Sequence, residues 1–112
     1  MTGPDRVLGL MGLAARAGGI VSGVERVREA ARQGRLRYVV LARDASANSR
    51  EKLFPLLLAT RVPMADRFDR AELGDAVGRG PVSAVGVTDA TFAARIRALI
   101  ETVPDRSANT GG

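Results

Sequence analysis

The chain has 112 residues, 46% of them hydrophobic and 26% charged, and its 17 Lys and Arg against 12 Asp and Glu give a net charge of +5. This balance predicts one compact domain with a packed core. Cysteine and histidine are both absent, which excludes disulfides, Ser-His-Asp and Cys-His catalysis, and the usual Cys or His metal sites.

The sequence contains no apolar run of about 18 residues that could span a membrane. Its N-terminus carries Asp5 and lacks the basic region of a signal peptide. We therefore expect a cytoplasmic protein that does not associate with membranes.

Apolar periodicity and glycine stops predict nine elements in the alternating order α-β-α-β-α-β-α-β-α. In chain order they are a helix over about residues 5–17, a short strand at Ile20-Val21, a helix from Ser22 to Gly34, a strand over Arg37–Ala42, a helix containing Leu53, Leu56 and Leu57, a brief strand in RVPM (61–64), a helix from Asp69 to near Gly78, a strand in PVSAVGVTD (81–89) and a helix containing Phe92, Ile96, Leu99 and Ile100.

Three of these helices begin with a capping-box pattern, in which a short polar residue is followed three places later by Glu. The pairs are Ser22 with Glu25, Asn48 with Glu51, and Asp69 with Glu72. Each pair is expected to satisfy the free amides at the start of its helix.

Helices that alternate with short buried strands indicate an α/β fold. We expect a three-layer α/β/α sandwich around a small central mixed sheet of about four strands. The single domain would span residues 1–103, and the polar residues 104–112 would form a flexible tail.

Arginines are dense in the second helix and the segments that follow it. Glu29 is the only acidic residue among them, so this region could simply be a solvated face or could contact a phosphate backbone. The chain has only three Phe and one Tyr, which disfavours base-stacking recognition of single strands and favours recognition of folded RNA. The arginines are Arg26, Arg28, Arg32, Arg35, Arg37 and Arg43.

The other candidate motifs have simpler explanations. Gly78–Pro81 reads GRGP, whose amides could bind an anion, although a plain turn is the better interpretation. Most carboxylates that could act in acid–base chemistry sit at predicted helix caps, so we expect no enzyme activity and no metal or cofactor. These carboxylates are Asp44, Glu72, Asp75 and Asp89.

A longer pattern resembles a known family. The segment from Leu10 to Leu53, with its VSG and LARDAS motifs, is followed by VP, by LGDAVGRGPVSAVGVTD and by FAARI. In combination these resemble the L-seven-Ae/L-thirty-e ribosomal protein superfamily, and within it the small bacterial YlxQ-like branch. The resemblance covers roughly residues 7–100 and implies an α/β/α sandwich that binds kinked RNA.

The resemblance also implies which residues meet RNA. Gly23 matches a family glycine, after which Asn and Glu read sheared G·A pairs and a Lys follows one turn later. In this chain Glu25, Arg26 and Glu29 stand in those three places, so a carboxylate is kept but its neighbours differ in charge. A second family loop, which packs against an extruded nucleotide, matches Gly78–Val82.

The expected RNA-binding residues lie in three segments, which are the helix start at Gly23–Arg28, the loop at Arg43–Asp44 and the loop at Gly78–Val82. We expect a non-enzymatic monomer that binds a structured RNA, ribosomal or otherwise kink-turn-like, and possible contacts with ribosomal or other translation proteins. The alternatives are a protein-interaction module of the same fold, or an accessory domain such as the substrate-binding half of an RNA methyltransferase. The expected RNA-binding residues are Gly23, Val24, Glu25, Arg26, Arg28, Arg43, Asp44, Gly78, Arg79, Gly80, Pro81 and Val82.

Overall fold

The computed structural model describes residues 3 to 102, so the tail expected at residues 104–112 lies outside the described residues. The predicted alternation of helices and strands is confirmed. The elements are α1 (Gly3–Arg16), β1 (Ile20–Ser22), α2 (Val24–Arg32), β2 (Tyr38–Leu41), α3 (Ala47–Ala59), β3 (Met64–Asp66), α4 (Arg70–Ala76), β4 (Ala84–Val87) and α5 (Ala90–Thr102). None of these helices is long and apolar enough to cross a membrane.

The four strands form one mixed sheet in the order β1-β4-β2-β3. β4 runs antiparallel to both of its neighbours, with Gly86 opposite Val21 on one side and opposite Val39 on the other. β2 and β3 are parallel. Every residue of β2 and β4 is buried, as expected for central strands covered on both faces.

Helices cover both faces of the sheet. On one face α2 packs against α3, and on the other α1 packs against α4 and α5. Gly86 shows why α2 lies close to the sheet, because a Cβ there would stand 2.6 Å from a methyl of Leu36 and 3.4 Å from one of Val27. Tyr38 points to the opposite face. Burial there raises the pKa of its hydroxyl, the negative charge of Glu101 on α5 raises it further, and the positive charge of Arg97 on the same helix partly opposes the shift. The chain is therefore the three-layer α/β/α sandwich that its sequence predicts.

One of the three predicted capping boxes is confirmed, and at a second helix a different residue caps the N-terminus. At α4 the Asp69 carboxylate accepts from the Glu72 amide at 2.7 Å, and Glu72 accepts from the Asp69 amide at 3.0 Å. At α3 the prediction of Asn48 is wrong. The helix begins two residues earlier, where Ser46 Oγ accepts from the Ser49 amide at 3.1 Å, so Glu51 lies too far along the helix to close a box.

The third capping box, at α2, is also wrong. Ser22 is the last residue of β1 and pairs with Val85 in the sheet, so its backbone is extended one position before the helix can begin. Gly23 takes the N-cap position instead, with φ of 96° and no side-chain cap. Such a φ is disfavoured for residues with a Cβ, which explains glycine at this position.

The third strand begins later than the RVPM motif suggests. Arg61 adopts a left-handed φ of 58°, and the Val62 amide donates to the Leu57 carbonyl at 3.0 Å. These two residues therefore close the C-terminus of α3, and strand pairing with β2 starts only at Met64.

Arg50 fastens the loop between β2 and α3. Its guanidinium is the donor in four hydrogen bonds, three of them to backbone carbonyls of that loop. It also lies over the Phe54 ring, with its central carbon 5.8 Å from the ring centroid. The acceptors are the carbonyls of Ala42 at 3.1 Å, Arg43 at 3.0 Å and Ala45 at 3.3 Å, and the Asp66 carboxylate at 3.0 Å.

Gly74 allows the loop before β4 to lie directly on α4. A Cβ on Gly74 would stand 2.0 Å from the Gly80 carbonyl oxygen and 3.0 Å from the Pro81 Cα. Both are backbone atoms, so the conflict cannot be relieved by a side-chain rotation. The Arg79 amide donates to the Gly74 carbonyl at 2.8 Å, which holds the loop at this short distance.

The substitution Gly74→Ala should destabilise the fold by about 1–3 kcal/mol, because backbone must move to accept the methyl group. Gly9→Ala is the matched control, since Gly9 is also helical and a Cβ there would meet nothing within 4 Å. It should be neutral or stabilising by up to about 1 kcal/mol, from helix propensity alone. Urea unfolding midpoints measure both changes, and equal midpoints for the two variants would contradict the close contact.

The substitution Arg50→Met should lower the free energy of unfolding by about 1–3 kcal/mol, because it removes the donor of all four hydrogen bonds that hold this loop. Arg97→Met removes one exposed ion pair, to Glu101 at 2.8 Å, and should change stability much less than Arg50→Met does. Urea unfolding of both variants tests the difference. A loss at Arg97 as large as that at Arg50 would refute the role given to Arg50.

Candidate functional site

The three segments expected to bind RNA meet at one end of the sheet. β1 and β2 finish there and β4 begins there. The Gly23 amide donates to the Ala84 carbonyl at 2.9 Å, and the Ala42 amide donates to the Ser83 carbonyl at 2.9 Å. These two bonds place the start of α2 and the loop after β2 on either side of the first residues of β4. We call this surface, formed by residues 23–28, 43–44 and 78–82, the sheet end.

The start of α2 presents uncapped backbone at the sheet end. No side chain accepts a hydrogen bond from its first turn, and a Cβ at Gly23 would meet nothing within 4 Å, so the space around it is open. Val24, the first helical residue, packs partly against the core. The positive end of the helix dipole and its unsatisfied amides favour an anionic ligand at this position.

Glu25 faces solvent and does not cap its own helix. Its carboxylate is 66% exposed and accepts from Arg28 Nη1 at 3.1 Å and from Lys52 Nζ at 3.4 Å. Lys52 lies on α3, and the sequence analysis did not identify it because only packing of α3 beside α2 brings it here. Glu25 is therefore an accessible acceptor held between two cations.

The two arginines of the first turns of α2 differ in their surroundings. Arg26 is exposed and makes no ion pair or hydrogen bond with any described residue. Arg28 is only 27% exposed at its side chain, donates to Glu25, and has a buried Nε without a partner. Arg26 is thus available to a ligand, whereas Arg28 chiefly orients the Glu25 carboxylate.

Asp44 connects the loop after β2 to the start of α4. Its carboxylate accepts from the Arg70 amide at 2.9 Å and from Arg70 Nε at 3.4 Å. The backbone hydrogen bond, followed by the guanidinium, holds the pKa of Asp44 below its ordinary value. Arg43 is exposed beside it, and its amide donates to the Phe68 carbonyl at 2.9 Å. Asp44 positions the loop, and Arg43 presents its side chain from it.

The loop at Gly78–Val82 is the turn that its sequence suggested. Gly78 has φ of 76° just after α4, and the Val82 amide donates to the Arg70 carbonyl at 3.1 Å. The residues from Gly78 through Pro81 are exposed and Val82 is partly buried. Arg79 makes no side-chain contact of the ion-pair or hydrogen-bond type with a described residue. Binding of an anion by these amides stays a prediction.

The basic face expected along residues 26–43 is smaller in the structure. Arg32 pairs with Glu29 at 3.7 Å, and Arg35 donates to Gln33 at 2.9 Å. Arg32 is the last residue of α2, and Arg35 and Arg37 lie between α2 and β2, so all three are at the opposite end of the sheet. The cationic surface of the sheet end therefore comes from separate segments rather than from one helix face.

Most of the acidic residues that could act in acid–base chemistry lie at helix starts. Asp89 accepts from the Phe92 amide at 2.9 Å at the start of α5, and Asp69 and Glu72 cap α4. Between residues 3 and 102 no group of three or more Asp or Glu could hold a metal ion. Most of these carboxylates are occupied at helix starts, as the sequence suggested.

Sequence comparisons match this chain to known proteins over most of its length. The model of the ribosomal protein L7Ae/L30e/S12e/Gadd45 family matches residues 5–96. The chain is 36% identical over 92 residues to the RNA-binding protein YlxQ of Bacillus subtilis (strain 168), covering 82% of this chain and 92% of that protein. It is 32% identical over 97 residues to the RNA-binding protein YlxQ of Enterococcus faecium, covering 87% and 93%.

Solved structures show the same fold. A protein of unknown function from Bacillus halodurans C superposes with a TM-score of 0.80 at 35% identity, over 85% of this chain and 96% of that one. The Giardia lamblia 15.5kD RNA binding protein superposes with a TM-score of 0.67 at 19% identity, over 83% and 86%. By its sequence and its fold, this chain belongs to the L7Ae/L30e/S12e/Gadd45 ribosomal protein family and to its YlxQ-like branch.

Proposed function

We propose that this chain binds a structured RNA, kink-turn-like or related, through the sheet end. It would act without catalysis, as a cytoplasmic monomer associated with translation, and its RNA would be ribosomal. The relatives named as RNA-binding proteins support this proposal. The observation that carries it is the meeting of three exposed segments at one end of the sheet, two of which offer an unpaired arginine, Arg26 and Arg79.

The sheet end has the chemistry of a phosphate contact. Arginine forms planar, paired hydrogen bonds with phosphate oxygens and does not lose its charge. The uncapped amides at the start of α2 lie close to Gly23, where backbone can approach a ligand without a side chain in the way. A polyanion that follows this surface would meet donors from side chain and backbone together.

Glu25 can add selectivity to these contacts. The exposed guanine edge of a sheared G·A pair offers N–H donors, which a carboxylate oxygen accepts. The ion pairs that Glu25 makes with Arg28 and Lys52 are exposed, and such pairs contribute only about 0–1 kcal/mol each. Glu25 can therefore exchange these ion pairs for contacts with a base and lose little free energy.

Arg26→Gln and Arg79→Gln should each weaken binding to a kink-turn RNA or a ribosomal RNA fragment. Each should also reduce the slope of log affinity against log salt by about 1, because one phosphate contact is lost. Arg37→Gln is the matched control, with the same change of charge at the opposite end of the sheet. Fluorescence anisotropy at several salt concentrations measures the affinities.

Equal losses from all three arginine variants would show a diffuse cationic effect and contradict the sheet end as the site. Absence of salt-dependent binding to any of these RNAs would instead favour a protein-interaction module of the same fold.

The substitution Glu25→Ala tests whether Glu25 contacts a base, because a base contact and a purely electrostatic role change the RNA affinity in opposite directions. If Glu25 accepts from a sheared G·A pair, binding to a kink-turn RNA should weaken by about 1–3 kcal/mol. If Glu25 only stands near the phosphates, removing its negative charge should strengthen binding. A kink-turn RNA in which Watson–Crick pairs replace the G·A pairs is the control, and anisotropy should show no loss on it.

A further inference from the structure

An open groove lies between α1 and α5, on the helical layer opposite α2 and α3. It has a volume of about 480 Å³. Leu10 and Leu99 line it, and Leu13, which is 50% exposed, stands at its surface. Only one other large hydrophobic side chain in the described part of the chain, Leu58, is exposed to this degree. The groove therefore presents apolar surface that the fold itself does not cover.

Gly9 is exposed and lines the groove. Glycine inside a helix lowers stability by about 0.5–1 kcal/mol relative to Ala, and other glycines of this chain have a packing reason for it. A Cβ at Gly12 would stand 2.9 Å from the Ala76 carbonyl oxygen, whereas a Cβ at Gly9 would meet nothing within 4 Å. The missing side chain at Gly9 leaves room in the groove that nothing in the described fold fills.

Three arginines border the groove, and no acidic residue among the described side chains lines it. They are Arg6, Arg16 and Arg95, and none makes an ion pair or hydrogen bond with a described residue. Arg97, two residues further along α5, is paired with Glu101, so pairing occurs on the same helix but not, within the described part of the chain, beside the groove.

Helix stability does not explain this arrangement of charge. Arg16 in the last turn of α1 interacts favourably with the helix dipole. Arg6 lies near the N-terminal end of the same helix, where a cation is unfavourable, and Arg95 lies in the interior of α5, where the dipole has little effect. The helix dipole therefore accounts for the position of Arg16 alone.

We propose that this groove binds an acidic amphipathic helix of a protein partner. Arg6 and Arg16 are ten residues apart on α1, which corresponds to about 15 Å or three helical turns. A helix of that length would place apolar side chains at spacings i, i+3 or i+4 and i+7 over Leu13 and Gly9, with Asp or Glu toward the arginines. Its charge is complementary to the border and its apolar stripe to the floor.

Two other occupants fit less well. A nucleic acid would pair with the arginines but would gain nothing from the leucines. Phosphates that lie against the leucines would lose their hydration without a compensating hydrogen bond. A second copy placed on a two-fold axis would set the same patch against itself, so that three arginines would face three arginines. An acidic helix satisfies both the charge and the apolar surface.

The groove and the sheet end are different surfaces. The groove lies on the outer side of the α1 and α5 layer, and the sheet end is formed by the start of α2 and the loops around β4. Arg16 borders the groove and also lines the depression beside Gly78, so this residue approaches both surfaces. The groove proposal does not depend on RNA binding, and either can fail without the other.

A displayed library of random 14-residue peptides, selected against the full chain, tests the proposal. The enriched peptides should be acidic, with apolar residues at helical spacing. Their affinity should fall at least about tenfold for Gly9→Glu, which fills the floor and adds a negative charge at an exposed helical position, and for Arg16→Glu combined with Arg95→Glu. Arg32→Glu combined with Arg35→Glu makes the same change of charge at exposed residues that do not line the groove, and this variant should bind the peptides nearly as the unaltered chain does.

Enriched peptides that are basic or uncharged, or that bind the Gly9→Glu chain equally well, would overturn the proposal, as would no enrichment at all. Sedimentation showing a dimer that Gly9→Glu dissociates would assign the groove to a second copy instead. A loss of RNA affinity for Arg16→Glu with Arg95→Glu as large as that for Arg26→Gln would assign it to RNA. Circular dichroism confirms that each variant is folded.

Discussion

The antiparallel pairing of β4 with both β1 and β2 determines where the candidate site forms. Because β4 runs opposite to its two neighbours, their last residues lie beside its first residues. The hydrogen bonds from Gly23 to Ala84 and from Ala42 to Ser83 extend this pairing into the loops. Three segments that are far apart in sequence are thereby held at one end of the sheet, and a change in the order or direction of β4 would separate them.

The charged residues at the sheet end and directly beside it divide into those that hold the loops and those that face solvent. Arg50 and Asp44 are engaged mainly with backbone, through bonds to the carbonyls of residues 42, 43 and 45 and to the Arg70 amide. Arg26 and Arg79 have no such engagement within the described chain. Loops fixed by internal bonds lose little conformational entropy when a ligand binds, so the free arginines act from a preorganised surface.

The sequence was most informative where one physical effect dominates. Buried β-branched runs predicted β2 and β4, and Asp69 with Glu72 predicted the start of α4. It was misleading where two local preferences compete. Ser22 matches a capping pattern, but it is the last residue of β1 and pairs with Val85 of β4 instead. The neighbours of Glu25, the bonds of Arg50 and the groove between α1 and α5 depend on contacts between distant segments, for which local patterns carry no signal. The family resemblance supplied the grouping of the three loops, which periodicity alone would not give.

The buried Nε of Arg28 limits what its pair with Glu25 contributes to stability. A buried N–H donor without an acceptor destabilises its surroundings by about 1–3 kcal/mol, and this Nε finds no acceptor among the described residues. That loss offsets what the exposed pair with Glu25 contributes. A ligand that takes the Glu25 carboxylate away from Arg28 therefore removes a contact on which the stability of the fold hardly depends.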